Sequence, residues 1–116
     1  MTLVKQLVQR AIHGNKVVIF SKTWCPYCHR AKAILQEARE PALAIELNKE
    51  ERGADIQAYL AHTTGQSTVP NIFIGGKHVG GCSDLEDLES SGQLQALLAN
   101  AKAGNNGSSS QQQQQQ

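Results

Sequence analysis

The sequence predicts an α/β fold, in which a small mixed sheet of about four strands carries helices on both faces. Two observations predict it. An apolar run, a helical pattern and an alternating run follow one another within residues 16–47, which favours two parallel strands joined by a right-handed crossover. Later, NIFI and KHVG flank Gly75-Gly76, an arrangement typical of antiparallel strands joined by a two-residue turn.

The first half of the chain contains a helix, a strand, a second helix and a second strand. The first helix is predicted because several apolar residues fall on one helical face: Leu3, Leu7, Val8, Ala11 and Ile12. KVVIF then forms a short, fully apolar strand, which indicates a central place in the sheet. A helix begins at Pro26 and ends before Pro41. Residues 43–47, LAIEL, alternate as a strand does.

The second half adds three helices around the hairpin. A helix is predicted from near Arg52 to about Gly65, where the glycine ends it. Beyond the hairpin, Ser83-Asp84 can cap a short helix, which Gly92 ends. The last amphipathic helix is indicated by four apolar positions: Leu94, Leu97, Leu98 and Ala101.

Length, composition and charge restrict the class of protein. At 116 residues the chain is long enough for one compact domain, which we assign to residues 1–103. Residues 104–116, GNNGSSSQQQQQQ, carry nothing apolar and are predicted to be a disordered tail, to which we assign no function. A net charge of +1 and no apolar run of about 20 residues give no reason to expect nucleic acid or a membrane as partner.

The N-terminus and the cysteines bear on the compartment. MTLVKQLVQRAIHG has no continuous apolar segment or cleavage site, so we do not expect a secretory signal. Three cysteines are too few, and odd in number, for a secreted disulfide scaffold. We therefore expect a cytoplasmic protein, in which a close cysteine pair is catalytic, redox-active or metal-binding more often than a structural bridge.

The strongest chemical signal is the pair Cys25 and Cys28, which follows the first predicted strand. Pro26 suits the first position of a helix, so Cys25 becomes the N-cap residue beneath free backbone N–H groups. These groups, together with Lys22, favour the thiolate of Cys25, and we expect that sulfur to be exposed enough to react. Cys28 lies one turn further along the same face and more deeply buried, as an attacking and a resolving thiol would be.

Two other interpretations of the cysteine pair stay open at this point. The sulfurs can be buried and inert, which the position at the end of a strand argues against. A zinc site needs four ligands, usually from two separated pairs, and this chain has one pair. The remaining candidate ligands lack paired spacing: Cys82, His29, His62 and His78.

Three motifs together, CPYC after the VVIF strand, TVP at residues 68–70 and GGCSD at residues 80–84, closely resemble the dithiol glutaredoxins of the thioredoxin-like superfamily. The resemblance extends from about Leu3 to Ala101. It implies a thioredoxin-like fold and a glutathione-dependent thiol–disulfide oxidoreductase. Such an enzyme would reduce glutathione mixed disulfides and protein disulfides through Cys25 and Cys28.

The resemblance also implies a glutathione site. In such folds the proline matching Pro70 is cis and stands beside the reactive cysteine, and the backbone of the preceding residue pairs with the bound peptide. The GGCSD segment would hold the γ-glutamyl end, Lys22 and Gln66 the glycine carboxylate, and Tyr27 would line the groove. The full expected set of glutathione contacts is Lys22, Tyr27, Gln66, Thr68, Val69, Pro70, Gly81, Cys82, Ser83 and Asp84. Trp24 replaces the tyrosine of many relatives, and should alter the rim of the site.

Glutathione is therefore expected as co-substrate, with no metal, and the chain as a monomer. Its partners would be glutathionylated or disulfide-bonded proteins and, indirectly, glutathione reductase. One alternative is a glutathione-ligated [2Fe–2S] cluster carrier, against which we set the rigid Pro26 and the available Cys28. The other is a thioredoxin reduced by a flavoenzyme, but thioredoxins usually have Gly-Pro between the two cysteines.

Overall fold

The structure, a computed structural model, describes residues 2–102; the predicted tail and the end of the predicted domain at residue 103 lie outside these residues. No helix within the described range is both long and apolar enough to cross a membrane. The elements of this range, in chain order, are α1 (Thr2–Gly14), β1 (Val17–Ser21), α2 (Pro26–Glu37), β2 (Leu43–Glu46), α3 (Gly53–Thr64), β3 (Asn71–Ile74), β4 (Lys77–Gly80), α4 (Cys82–Ser90) and α5 (Gln93–Asn100).

The four strands form one mixed sheet in the order β2-β1-β3-β4. β1 and β2 pair in parallel and are connected along the chain by α2, whereas β3 pairs antiparallel with both β1 and β4. Gly75 and Gly76 form the predicted hairpin turn, with φ of 61° and 81°. Only glycine adopts such angles without steric cost. The predicted mixed sheet and the central position of the first strand are confirmed.

Each face of the sheet has its own hydrophobic core, because side chains of a strand alternate between the faces. The core beneath α2, α4 and α5 includes Val17 and Ile19 from β1. The core beneath α1 and α3 includes Val18 and Phe20 from the same strand. β1 is therefore buried on both faces, which accounts for its uninterrupted apolar sequence.

The buried face of α1 differs from the predicted face. Leu3 and Leu7 are 46% and 41% exposed, and the core instead receives Val4, Val8 and Ile12. Both sets have helical spacing, so periodicity alone does not select between them. The sheet and α3 select the valine–isoleucine stripe, and the prediction for Leu3 and Leu7 is wrong.

The start of α4 also differs from the prediction. Its N-cap residue is Gly81 rather than Ser83 or Asp84. Asp84 lies at the third helical position, from which its Oδ2 accepts a hydrogen bond from the Gly81 N–H at 2.9 Å. The carboxylate thus satisfies a backbone donor that would otherwise be free at the helix N-terminus.

Candidate active site

Cys25 lies in the connection between β1 and α2. A tight turn connects them, closed by the Cys25 N–H donating to the Lys22 carbonyl at 3.1 Å. Cys25 is the N-cap residue of α2, as predicted, and its Sγ accepts a hydrogen bond from the Cys28 N–H at 3.3 Å. The free backbone donors of a helix N-terminus favour negative charge on such a sulfur. The residue is 6% exposed, less than the sequence led us to expect.

Cys28 lies one turn into α2 and has no exposed surface. Burial raises the pKa of the Cys28 thiol, and a hydrogen bond with the Cys25 side chain raises it further. Both residues are free thiols. The pair is therefore asymmetric: one sulfur lies at a helix terminus near the surface, and the second is held as a buried, protonated thiol. This asymmetry suits a nucleophile and a resolving group.

The loop before β3 lies directly against Cys25. The Val69–Pro70 peptide bond is cis, as the resemblance implies. The carbonyl oxygen of Val69 lies 3.9 Å from Cys25 Sγ and accepts its hydrogen bond. Val69 is partly buried and Thr68 is exposed, so backbone groups beside the sulfur are within reach of an incoming chain.

Gln66 stabilises this loop through its side chain. Its Nε2 donates to the carbonyl oxygens of Thr68 at 3.1 Å and Pro70 at 2.8 Å. Both amide hydrogens are thus engaged within the protein. To bind a glycine carboxylate, as the resemblance implies, Gln66 would exchange one of these internal hydrogen bonds for the ligand.

The N-terminus of α4 lies close to this loop. A Cβ built on Gly81 would lie 3.6 Å from the Pro70 carbonyl oxygen and 3.8 Å from Gln66 Nε2, so the backbone of Gly81 comes close to the loop. Ser83 and Asp84 are exposed beside it. Cys82 is 6% exposed. Burial raises the pKa of the Cys82 thiol, and the charges of Glu86 and Cys25 act in the same direction.

The rim of the site is aromatic and cationic. Trp24 and Tyr27 are each 66% exposed on either side of Cys25 in the sequence. The ammonium group of Lys22 lies 5.5 Å from the centre of the Trp24 ring. The Val69 carbonyl thus lies beside Cys25, and Gly81 lies beside Pro70 and Gln66. Lys22 and Trp24 belong to the same turn as Cys25.

Sequence reasoning missed a hydrogen-bond network behind this rim. Asn48 accepts from the Thr23 N–H at 3.0 Å and donates to Thr23 Oγ1 at 2.8 Å. His29, considered above as a metal ligand, donates from Nε2 to the Thr23 carbonyl at 2.7 Å. Asn48 and Thr23 are 25 positions apart, so no local sequence pattern relates them. Within residues 2–102 no group of three or more His, Cys, Asp or Glu side chains is placed to hold a metal ion.

Comparison with known proteins agrees with this geometry. The glutaredoxin family model matches residues 17–79. The chain belongs to the glutaredoxin family. Arabidopsis thaliana Glutaredoxin-C2 is 46% identical over 101 residues, which cover 87% of this chain and 91% of that protein. Glutaredoxin-2 of Schizosaccharomyces pombe is 48% identical over 87% of this chain and 92% of its own length.

Solved structures of glutaredoxins share the fold. The buckwheat glutaredoxin–glutathione complex superposes with a TM-score of 0.83 at 42% identity, covering 84% of this chain and 89% of that chain. The holo form of glutaredoxin C1 from Populus tremula x tremuloides also gives 0.83, at 37% identity, covering 86% and 99%. Glutaredoxins are thiol–disulfide oxidoreductases, and this chain is an enzyme of that class with a thioredoxin-like fold.

Proposed function

We propose that the enzyme reduces glutathione mixed disulfides and protein disulfides, with glutathione as co-substrate. The observation that carries this proposal is the position of Cys25 Sγ, which accepts the Cys28 N–H at the start of α2 and faces the Val69 carbonyl. The relative solved as a glutaredoxin–glutathione complex supports glutathione as the ligand.

In this proposal, glutathione lies between the cis-proline loop and the N-terminus of α4, with its glycine end toward Lys22. Free N–H groups at the start of α4, at Cys82 and Ser83, receive the γ-glutamyl carboxylate. Asp84, with one oxygen already on Gly81, faces the ammonium group. The backbone of Val69 pairs with the cysteinyl part as a neighbouring strand would. At the opposite end, the ammonium of Lys22 binds the glycine carboxylate, and Tyr27 lines the groove.

The reaction with a glutathione mixed disulfide needs only Cys25. Its thiolate attacks the glutathione sulfur, a Cys25–glutathione disulfide forms, and the substrate leaves as a thiolate that takes a proton from water. A second glutathione thiolate attacks the glutathione sulfur on Cys25. Glutathione disulfide departs, Cys25 returns as a thiolate, and glutathione reductase recycles the product.

A protein disulfide takes a second route through Cys28. The Cys25 thiolate attacks one substrate sulfur and forms a mixed disulfide, and the other substrate sulfur leaves as a thiolate that takes a proton from water. The Cys28 thiol then gives its proton to water and attacks Cys25 Sγ. The bond from Cys25 to the substrate breaks, the second substrate sulfur leaves as a thiolate, and a Cys25–Cys28 disulfide remains. Two glutathione molecules reduce that bridge in turn. Because burial raises the pKa of Cys28, the thiol must lose a proton before it resolves the intermediate.

The experiment compares two isosteric variants in a coupled assay with glutathione, its reductase and a glutathione mixed disulfide. Cys25→Ser should abolish turnover, and Cys28→Ser should retain it while losing reduction of a protein disulfide. Measurable mixed-disulfide turnover by Cys25→Ser would overturn the assignment. Replacing glutathione and its reductase by thioredoxin reductase should stop reduction of the wild-type enzyme, which separates this activity from that of a thioredoxin.

A further inference from the structure

Trp24 has a contact that the proposed chemistry does not require. The indole is 66% exposed, so hydrophobic burial explains little of its position. The ammonium group of Lys22 lies 5.5 Å from the ring centre, within the range of a cation–π interaction. Tryptophan is the strongest partner among the aromatic side chains for such a contact. The ring therefore restrains a lysine that would otherwise sample many rotamers.

The backbone beneath this pair is rigidly held. Lys22 and Cys25 are the first and last residues of one tight turn, and Trp24 is its third residue. Between them, Thr23 makes two hydrogen bonds to Asn48, through its N–H and its Oγ1, and one to His29 through its carbonyl oxygen. The turn thus sets the position of the Lys22–Trp24 pair relative to the nucleophile.

We propose that Trp24 is a positioning residue, which holds the Lys22 ammonium for the glycine carboxylate of glutathione. The inference rests on the proposed function, in which Lys22 receives that carboxylate. An unrestrained lysine must lose rotamer freedom when the ligand binds, and prior restraint by the ring removes part of that cost. In this role Trp24 acts through Lys22 and not on the reacting sulfurs, so its effect falls on binding.

The test measures KM and kcat for the mixed disulfide of glutathione with 2-mercaptoethanol. An exposed cation–π contact corresponds to a factor of about two to five in affinity. Trp24→Leu and Trp24→Gln should each raise KM by about that factor and leave kcat unchanged. Trp24→Phe, which keeps an aromatic face, should recover part of the loss. Leu7→Gln, an exposed site on α1, is the matched control and should change neither constant.

Two further measurements identify Lys22 and the carboxylate as the route of the effect. In a Lys22→Met background, Trp24→Leu should cause no additional rise in KM. With a substrate whose glycine carboxylate is converted to an amide, wild type and Trp24→Leu should have the same KM. An equal rise for the amide substrate, an additive effect in the Lys22→Met background, or a fall in kcat alone would overturn the proposal.

The result also separates this inference from the proposed function. If wild type turns over the glutathione mixed disulfide but Trp24→Leu has an unchanged or lower KM, the positioning role is refuted and the enzymology stands. A lower KM would mean that the ring holds the ammonium away from the ligand. If wild type shows no glutathione-dependent turnover, both proposals fall together.

Discussion

Gly81→Ala tests the proposed position of glutathione between the cis-proline loop and α4. The new methyl group would lie 3.6 Å from the Pro70 carbonyl oxygen and 3.8 Å from Gln66 Nε2, which are ordinary van der Waals distances. The backbone of Gly81, with φ −100° and ψ −165°, is open to any residue. The protein therefore accommodates alanine, and we expect the free energy of unfolding to change by less than about 1 kcal/mol.

If the γ-glutamyl carboxylate binds the first N–H groups of α4 as proposed, the methyl group introduced by Gly81→Ala lies in its path and obstructs it. A hydrogen bond to a charged group contributes about 1.5–3 kcal/mol. Loss of one such bond raises KM for a glutathione mixed disulfide by roughly 10- to 140-fold, at 1.4 kcal/mol for each factor of ten.

The assay follows NADPH oxidation by glutathione reductase, with urea unfolding in parallel to confirm stability. Gly14→Ala is the matched control, because nothing lies within 4 Å of a Cβ built there and the residue ends α1, away from Cys25. It should leave KM at the wild-type value. A stable Gly81→Ala enzyme with KM within twofold of wild type would refute the proposed position of the γ-glutamyl end at the start of α4.

Three further predictions concern stability and reactivity. Leu85→Ala removes a fully buried side chain and should lower the free energy of unfolding in urea by about 2–5 kcal/mol; an equal loss from Leu43→Ala, at a residue 39% exposed, would contradict the core assignment. His78 is exposed at the surface, but partial desolvation lowers its pKa from 6.5, although the charge of Asp84 opposes the shift. The unfolded chain thus binds more protons just below pH 6.5, so stability should rise with pH across that window; a His78→Gln variant with the same slope would exclude His78 as the cause. Since burial raises the pKa of Cys82, iodoacetamide at pH 7 should label it only after denaturation, and mass spectrometry showing its modification in the folded enzyme would disprove this protection.

Most of the architecture follows from local signals in the sequence. The apolar β1 and the Gly75-Gly76 turn each specify an element by composition or backbone requirement. The strand order β2-β1-β3-β4 was not predicted, because the connections alone do not determine beside which strand the hairpin pairs. The buried face of α1 does not follow from local signals, because its leucines and its valines form two overlapping apolar stripes. Packing against α3 and the sheet determines that Val4 is buried and Leu3 is exposed.

Part of the candidate site was likewise predictable from local sequence, and part was not. The position of Cys25 at a helix N-cap was predictable, because proline at the next position and a strand before it define the terminus. The use of the Gln66 amide on the Thr68 and Pro70 carbonyls was not, since it depends on the path of the loop. The pairing of Asn48 with Thr23 was equally hidden by its sequence separation.

The double burial of β1 has a consequence for how the enzyme loses activity on heating. A strand packed on both faces has backbone amides that exchange with solvent only when the whole domain opens. The reactive turn is attached directly to the end of that strand, at Ser21, and α2 secures its other end. Partial melting of α1 should leave this turn in place. Loss of Cys25 reactivity toward a small alkylating reagent on heating should therefore coincide with the global transition recorded by calorimetry, rather than precede it.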